Sequence, residues 1–370
     1  MRMCAPLRSA ASSLAVAVAL VAGCDRSPST PAPAPQPAPA APAPAAPGPR
    51  LYVSDETGSR VVVINPETRQ VVQTINVGKR PRGIRLSLDG TRVYVALSGS
   101  PIAGPGVDES KLPPADRAAD GIGVIDLATG TLVRKYQSGQ DPEAFAFSQD
   151  GRMLYISNEE TAELSVLDLE SGAITARVKV GEEPEGVTTR PDGRVVYVTC
   201  EGTNDVAAID VASLKVVARI PTGPRPRSIA FDRDGRTGFV TAENAAAITV
   251  FDTKTHKVTK TIALPRGAGS PTPARPMGQV LSPDGARLFV SLGRAKSVAI
   301  VDVAARAVTG TIEDVGTRPW GIAISADGRQ LYTANGPSGD VSVIDTAAGT
   351  TAARIAVGGS PWGIAVAAVR

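Results

Sequence analysis

A short sequence pattern recurs along the chain and constrains the fold more than any other feature. It runs from Pro-x-Gly-Ile through Asp-Gly, Tyr-Val and Val-x-Val-Ile-Asp to an alternating segment that ends in Val-Gly. Its proline stands at positions 81, 142, 184, 226, 276, 319 and 361, with spacings of 61, 42, 42, 50, 43 and 42 residues. A period near 42 residues with four short strands is typical of one β-propeller blade. The repeat therefore predicts an all-β fold of four-stranded blades.

The last full repeat shows how the residues divide among the four strands. Four segments either alternate between apolar and polar residues or are rich in β-branched side chains: Gly321–Ser325, Gln330–Ala334, Val341–Ile344 and Thr351–Val357. We assign these segments to strands a, b, c and d in that order. Asp327-Gly328 forms the predicted hairpin turn between a and b, where glycine supplies the positive φ.

The two ends of the repeat region complete each other. The first recognisable strand, Leu51-Tyr52-Val53, is a strand b with no strand a before it. The last segment, Pro361–Val369, is a strand a with no strand b after it. Pairing of this C-terminal inner strand with the N-terminal strands would close the ring and remove the exposed sheet edges. The sequence thus predicts a seven-bladed β-propeller.

Aspartates recur at two positions of the repeat. The turn aspartates are Asp89, Asp150, Asp192, Asp234, Asp284 and Asp327, and those that end strand c are Asp126, Asp168, Asp210, Asp252, Asp302 and Asp345. So many carboxylates could suggest a metal, but aspartate also favours such turns because its side chain accepts hydrogen bonds from nearby backbone N–H groups. We predict the turn role and no metal site.

The N-terminal residues predict an export signal and an anchor. Residues 1–23 carry Arg2 and Arg8 before a short apolar run, and Val21-Ala22-Gly23-Cys24 resembles the lipobox of bacterial lipoproteins. Cys24 would be acylated and become the new N-terminus; the alternative is an ordinary secretory signal that contains a cysteine. Residues 24–49 form a linker, since ten of the 22 residues from Pro28 to Pro49 are proline. Residues 50–370 form the propeller. We expect a lipid-anchored protein of the cell envelope that faces the periplasm or the cell exterior.

Composition excludes several function classes. After loss of residues 1–23 the chain carries 37 basic and 36 acidic residues, so it offers no overall field for nucleic acid. Cys200 is the one thiol that neither cleavage nor acylation removes, and His256 is the single histidine. These counts disfavour cysteine-based metal sites, zinc catalysis and histidine triads. We expect no cofactor and a monomer.

The strand-b motifs Tyr52-Val-Ser-Asp, Tyr155-Ile-Ser-Asn, Tyr197-Val-Thr-Cys and Tyr332-Thr-Ala-Asn resemble the YVTN-repeat β-propeller family over residues 51–369. Segments such as Arg80-Pro-Arg-Gly-Ile and Arg275-Pro-Met-Gly are similar to a subgroup associated with pyrroloquinoline-quinone-dependent catabolism. The resemblance implies an accessory role beside a periplasmic quinoprotein dehydrogenase. The lipoprotein stalk and the insert after Ser100 depart from that subgroup.

One face of the predicted propeller concentrates unusual residues. Both irregular connections, Ser98–Gly121 and Pro265–Gly278, join strands on that face, and function tends to lie in variable loops on a rigid scaffold. The residue after each repeat proline lies there too, at the mouth of the central channel. In ring order these residues, called here the mouth ring, are Trp362, Arg82, Glu143, Glu185, Arg227, Met277 and Trp320.

Three interpretations of the mouth ring remain open. It could dock a protein such as a quinoprotein dehydrogenase through tryptophan and arginine anchors, or bind a small polar or aromatic ligand. Alternatively, the tryptophans are packing residues and the charges form solvated pairs worth about 0–1 kcal/mol each. Glu143 and Glu185 could also act as an acid–base pair in a lactonase-like hydrolase, but no catalytic motif accompanies them. We predict a non-catalytic binding or scaffold protein.

Overall fold

The computed structural model describes residues 48–102, 108, 111–266 and 273–367. These residues form 28 strands in seven antiparallel four-stranded sheets. The predicted seven-bladed, all-β propeller is therefore confirmed. The predicted signal and most of the linker, Cys24 included, lie outside the described residues, as do parts of both irregular connections.

The strands follow the blades closely. The first blade combines β1 (Arg50–Asp55), β2 (Arg60–Asn65) and β3 (Gln70–Asn76) with the last strand of the chain, β28 (Pro361–Ala367). The second blade holds β4 (Pro81–Leu86), β5 (Arg92–Leu97), β6 (Gly121–Asp126) and β7 (Thr131–Tyr136). The third holds β8 (Pro142–Phe147), β9 (Met153–Asn158), β10 (Glu163–Asp168) and β11 (Ile174–Lys179). The fourth holds β12 (Pro184–Thr189), β13 (Val195–Cys200), β14 (Asp205–Asp210) and β15 (Lys215–Pro221).

The remaining blades repeat this order. The fifth holds β16 (Pro226–Phe231), β17 (Thr237–Ala242), β18 (Ala247–Asp252) and β19 (Lys257–Ala263). The sixth holds β20 (Pro276–Leu281), β21 (Arg287–Leu292), β22 (Ser297–Asp302) and β23 (Ala307–Ile312), with a short 3-10 helix at Gly293–Ala295. The seventh holds β24 (Pro319–Ile324), β25 (Gln330–Asn335), β26 (Asp340–Asp345) and β27 (Thr350–Ala356), within two residues of the predicted bounds.

Ring closure occurs as predicted. β28 pairs antiparallel with β1, with Leu51 opposite Val366 and Val53 opposite Ile364. The seven inner strands then touch their neighbours all the way round, from β4 through β24 to β28 and back to β4. β28 ends at Ala367, and the last predicted residues of this strand lie beyond the described part of the chain. Closure leaves every inner strand between two others.

The hydrophobic core lies between adjacent blades. One cluster, for example, joins Tyr52 and Val61 of the first blade to Val95 and Leu97 of the second. The outer strands are mostly exposed, as in β3, where only Ile75 is buried. Within the residues that the structure describes, no helix is both long and apolar enough to span a bilayer.

The recurring aspartates shape the turns. Asp150, for instance, accepts a hydrogen bond from the backbone N–H of Arg152 at 3.1 Å, and Gly151 beside it has a φ of 73°. Asp126 accepts from the N–H groups of Ala128 and Thr129. In the fifth blade the acceptor is Asp232 and not Asp234, because its carboxylate receives the N–H groups of Arg236 and Thr237. Among the described residues no group of three His, Cys, Asp or Glu is arranged to hold a metal ion.

Candidate functional site

The mouth ring occupies the second position of each inner strand. Five of its members, Arg82, Glu143, Glu185, Arg227 and Met277, are buried, and the two tryptophans are half-buried. The repeat proline before each of them begins the strand, so the seven side chains start from the same end of the ring. The structure brings six of them together in three groups, one pair of tryptophans and two clusters of ions, and Met277 belongs to none of these groups.

The two tryptophans form a stacked pair. The ring centroids of Trp320 and Trp362 lie 5.7 Å apart and the ring planes are inclined by 24°. The guanidinium groups of Arg318 and Arg227 lie 4.5 and 5.4 Å from the centroid of the Trp320 ring, within the range of cation–π interactions. This corner of the mouth thus combines aromatic surface with positive charge.

Arg82 forms the centre of the first ion cluster. Its guanidinium pairs with the carboxylates of Asp141 and Glu143, and lies 3.4 Å from that of Glu159. Ser98, at the start of one irregular connection, donates a hydrogen bond of 2.5 Å to Asp141. Arg82, Asp141 and Glu143 are buried and Glu159 is half-buried, so the core of the cluster is a buried network.

Arg227 forms the centre of the second ion cluster. It pairs with Glu185, and lies 2.5 Å from Glu201 and 2.8 Å from Glu243. All four side chains are buried. The interpretation of these charges as solvated pairs is therefore wrong: the arginines insert among the acids rather than flanking them in water. Breaking a buried pair of this kind by removing one partner costs about 3–5 kcal/mol.

The acids of the mouth differ in their affinity for protons. Burial alone would raise the pKa of Glu185, but Arg227 and a hydrogen bond from Glu201 lower it to about 2. Burial, reinforced by Glu185, raises the pKa of Glu201 to about 10. Burial also raises the pKa of Glu143 well above its usual range, although Arg82 opposes this effect. At neutral pH Glu185 is charged and Glu201 is protonated.

Sequence reasoning missed three of the acids. Glu159, Glu201 and Glu243 each directly follow strand b of their blade, 42 residues apart, and they complete the two clusters. This spacing was a usable signal, since an acid recurred at one repeat position in three adjacent blades. Two other acids, Glu182 and Glu183, come directly before the repeat proline of the fourth blade and are exposed.

Hydroxyl groups on strand b hold the mouth ring in place. Thr199 accepts a hydrogen bond of 2.7 Å from the N–H of Gly186 in its own blade and donates one of 3.0 Å to the carbonyl of Arg227 in the next. Similar bridging hydroxyls bond the carbonyls of four more mouth-ring residues: Ser54 to Arg82, Ser157 to Glu185, Thr241 to Met277 and Ser291 to Trp320. Each one fixes the backbone of a mouth residue to the preceding blade.

A cavity of about 280 Å³ opens behind the mouth ring. Glu185, Arg227, Met277, Trp320 and Trp362 contribute to its wall at the mouth. Deeper in the channel the wall consists largely of glycine and branched aliphatic residues of the inner strands. The channel is therefore a mainly apolar space with charged and aromatic groups at its entrance.

The described parts of the irregular connections lie against this entrance. Arg80 donates to the carbonyl of Ser100 at 3.0 Å and pairs with Glu56 at 3.0 Å. Lys79 pairs with Asp116 at 2.8 Å. Arg275, at the end of the second connection, lies 3.3 Å from Glu243. The predicted placement of these connections at the mouth holds for their described residues.

Two family models match the chain. The choice-of-anchor I domain matches residues 49–225, and the cytochrome D1 heme domain matches residues 185–369, which is half of the chain. A curated relative, antigen Lp49 of Leptospira interrogans, is 30% identical over 109 residues, which make up 30% of this chain and 23% of that protein. The chain therefore spans less than a quarter of the length of that relative.

Solved structures share the fold. The periplasmic gluconolactonase of Pseudomonas aeruginosa superposes with a TM-score of 0.70 at 21% identity, over 87% of this chain and 99% of that one. A protein of unknown function from Desulfotomaculum acetoxidans gives a TM-score of 0.71 at 13% identity over the same shares. Hydrazine synthase of Kuenenia stuttgartiensis gives 0.67 at 21% identity, over 80% of this chain and 92% of that one.

The description of the matching family names a haem. Proteins bind the iron of a haem through histidine, cysteine, methionine or tyrosine side chains. His256, the single histidine, lies between β18 and β19 and contacts the Tyr197 hydroxyl at 3.1 Å, near the turns of the opposite face. Cys200 is buried outside the cavity wall, and burial raises the pKa of its thiol to about 11. Met277 alone among such residues contributes to the described cavity wall, so the channel does not fit a haem. The chain belongs to the cytochrome D1 heme domain family as a seven-bladed propeller of four-stranded blades.

Proposed function

We propose that the protein is a non-catalytic binding protein of the cell envelope that docks a protein partner on the mouth face of its propeller. The stacked pair of Trp320 and Trp362 carries this proposal. Tryptophan and arginine dominate the energetics of protein interfaces because they bury a large area and retain polar groups. Here both tryptophans are half-buried, and Arg318 lies against one of them.

The state of the acids supports binding rather than catalysis. Glu143 pairs with Arg82, and Glu185 pairs with Arg227, so neither carboxylate is free to reach a substrate without breaking a buried ion pair. A pKa of about 2 also makes Glu185 a weak base at neutral pH. In this proposal the ion clusters serve as a rigid support for the docking surface.

The partner that we propose is a periplasmic quinoprotein alcohol dehydrogenase. The support is the resemblance of Arg80-Pro-Arg-Gly-Ile and similar segments to the propeller subgroup associated with pyrroloquinoline quinone. Acylation at Cys24 and a proline-rich stalk would hold the propeller at the membrane while its mouth face remains accessible. Stable anchoring of this kind needs two membrane signals, such as two acyl chains.

The test is a binding measurement by biolayer interferometry between the propeller and the purified quinoprotein dehydrogenase of the same bacterium. Trp320→Ala and Trp362→Ala are each expected to weaken binding by about 2 kcal/mol or more, the loss typical of a hot spot. Leu88→Ala is the matched control, because Leu88 is a large exposed apolar residue in a strand a-to-b turn, away from the mouth. Undiminished binding of the Trp320→Ala/Trp362→Ala variant would rule out the mouth face, and no binding at micromolar concentrations would rule out this partner.

A second candidate is a lactonase-like hydrolase. The observation in its favour is that neighbouring environments raise the pKa of Glu143 and lower that of Glu185, as in acid–base pairs of enzymes. The structural likeness to a gluconolactonase makes gluconolactone the substrate to try first. Turnover that Glu143→Gln and Glu185→Gln each abolish, while both variants stay folded, would replace the docking proposal with this one.

A further inference from the structure

One inner-strand residue breaks the repeat inside the channel. Four residues after each repeat proline the other blades carry small or aliphatic residues, or a threonine: Ala146, Thr188, Ala230, Val280, Ala323 and Ala365. The second blade carries Arg85 at this position. A charged side chain at this position needs a physical explanation, because equivalent residues such as Ala146 and Ala365 are buried in the hydrophobic core, where an unpaired charge is costly.

Arg85 reaches across the ring. Its Nε donates a hydrogen bond of 2.7 Å to the carbonyl of Phe145 in the third blade, and a terminal nitrogen donates one of 3.4 Å to the carbonyl of Val187 in the fourth. The guanidinium therefore lies over the inner strands of two other blades. Among the residues that the structure describes, several of its N–H donors have no hydrogen-bond acceptor, because a guanidinium has five and two are used.

No acid neutralises this guanidinium among the residues that the structure describes. Arg82 and Arg227, which also belong to inner strands, each contact three carboxylates. Within the described part of the chain Arg85 donates hydrogen bonds to backbone carbonyls alone, and burial within the ring lowers its pKa. Protein surrounds the side chain, yet much of its surface is exposed to the open channel. The positive charge thus faces the cavity.

The cavity continues on both sides of Arg85. The mouth-side space of about 280 Å³ and a second space of about 370 Å³ share Arg85, Ile84, Thr188 and Ile364 in their walls. The second space extends to Leu88, in a turn on the opposite face. Around Arg85 the walls are mainly aliphatic, and the other charged residues of the cavity wall, Glu185 and Arg227, are paired with each other at the mouth.

We propose that the central channel binds a small organic carboxylate with an apolar body, whose carboxylate pairs with Arg85. A guanidinium presents two parallel N–H groups that match the two oxygens of a carboxylate. The aliphatic walls accommodate the apolar body, and the mouth-side space is of the order of small-ligand pockets, which begin at about 300 Å³. This inference goes beyond docking on the mouth face and does not depend on it.

The test uses benzoate as the carboxylate probe, with isothermal titration calorimetry at neutral pH and low salt. Benzamide has nearly the same shape without the charge, and inorganic phosphate has charge without an apolar body. We expect saturable binding of benzoate, with benzamide and phosphate each binding about tenfold or more weakly. The emission of Trp320 and Trp362, the two tryptophans of the chain, is a second readout because both contribute to the same cavity wall.

Variants connect this binding to Arg85. Arg85→Met keeps an unbranched side chain and removes the charge, and it is expected to weaken benzoate binding about tenfold or more. Arg354→Met, which removes an exposed arginine of β27, is the matched control and should leave the affinity unchanged. Arg85→Lys keeps the charge and should retain the preference of benzoate over benzamide, which provides a test even if Arg85→Met does not fold.

Several outcomes would overturn the proposal. They are the absence of saturable benzoate binding at millimolar concentration, equal affinity of Arg85→Met and the wild type, or equal affinity of benzamide and benzoate. Tighter binding of phosphate than of benzoate would reject the apolar carboxylate in particular. Docking of the dehydrogenase should be unchanged in Arg85→Met, so failure of this proposal and failure of the docking proposal are distinguishable.

Discussion

Trp320 and Trp362 stack with their ring centroids 5.7 Å apart, although 42 residues separate them in the chain. The contact exists because β28, which carries Trp362, completes the first blade and thereby becomes the neighbour of β24. Ring closure therefore builds the aromatic corner of the mouth as well as the fold.

Loss of the closing strand should abolish the cooperative fold of the propeller. Deletion of residues 360–370 removes β28 and leaves β1 and the inner faces of β4 and β24 without their partner. We expect aggregation or loss of a cooperative thermal transition, far beyond the effect of about 1 kcal/mol of a typical point substitution. A monomeric truncated protein with nearly unchanged melting, as judged by light scattering and calorimetry, would contradict this role of β28.

The bridging hydroxyl of Thr199 should contribute measurably to stability. Thr199→Val keeps the shape but leaves the N–H of Gly186 and the carbonyl of Arg227 without this partner. We expect the free energy of unfolding in urea to fall by about 1–3 kcal/mol. Thr199→Ser retains the hydroxyl and is the control. A Thr199→Val variant that is as stable as the wild type, or that loses no more than Thr199→Ser, would show that the hydrogen bonds of this hydroxyl do not contribute.

Removal of Arg227 should destabilise the protein strongly. Arg227→Met leaves Glu185 and Glu243 buried without their main cation, and we expect a loss of about 3–5 kcal/mol in urea unfolding. Arg152→Met is the matched control, because Arg152 pairs with Glu170 at the exposed surface; its effect should stay below about 1 kcal/mol. A similar cost for both substitutions would mean that the buried cluster adds no more than a surface pair.

Stability should depend on pH through Glu201. Its pKa rises from the ordinary 4.5 to about 10 in the folded protein. Between these two pH values the folded state therefore keeps a proton that the unfolded chain has released. The contribution of Glu201 to stability is therefore complete below about pH 4.5 and is lost as the pH rises toward 10. Glu201→Gln should reduce the fall of the melting temperature between pH 5 and pH 9, since it cannot ionise. Glu182→Gln, on the exposed part of the same face, should leave the slope unchanged; an identical slope in all three proteins would disprove this assignment.

Cys24→Ser should release the protein from membranes. The motivation is the run Val21-Ala22-Gly23-Cys24 before a proline-rich segment, where a thiol is required for thioether formation. Wild-type cells grown with a labelled fatty acid should yield a labelled, membrane-bound protein, and the serine variant should yield neither label nor sedimentation. An intact mass that shows an unmodified N-terminus at another residue of the wild-type protein would instead indicate an ordinary secretory signal.

The mouth was only partly predictable. The repeat placed Arg82, Glu143, Glu185 and Arg227 at equivalent positions, because equivalent residues of a ring of identical blades must lie at one end of it. It did not reveal that Glu201 and Glu243 share Arg227, although their spacing of 42 residues was visible. Side chains from different blades meet there, and the rotamers that decide which carboxylate reaches which guanidinium depend on packing.

The sequence by itself determined the number of blades, the strands, the aspartate turns and the closure, because each depends on a local pattern that recurs with a fixed period. Only the tertiary structure decided that the mouth charges are buried and that Arg85 extends over two neighbouring blades. Burial and pairing depend on how seven inner strands converge on one axis. A one-dimensional pattern places a residue on a strand, but the distance between residues of different blades is set by the closed ring.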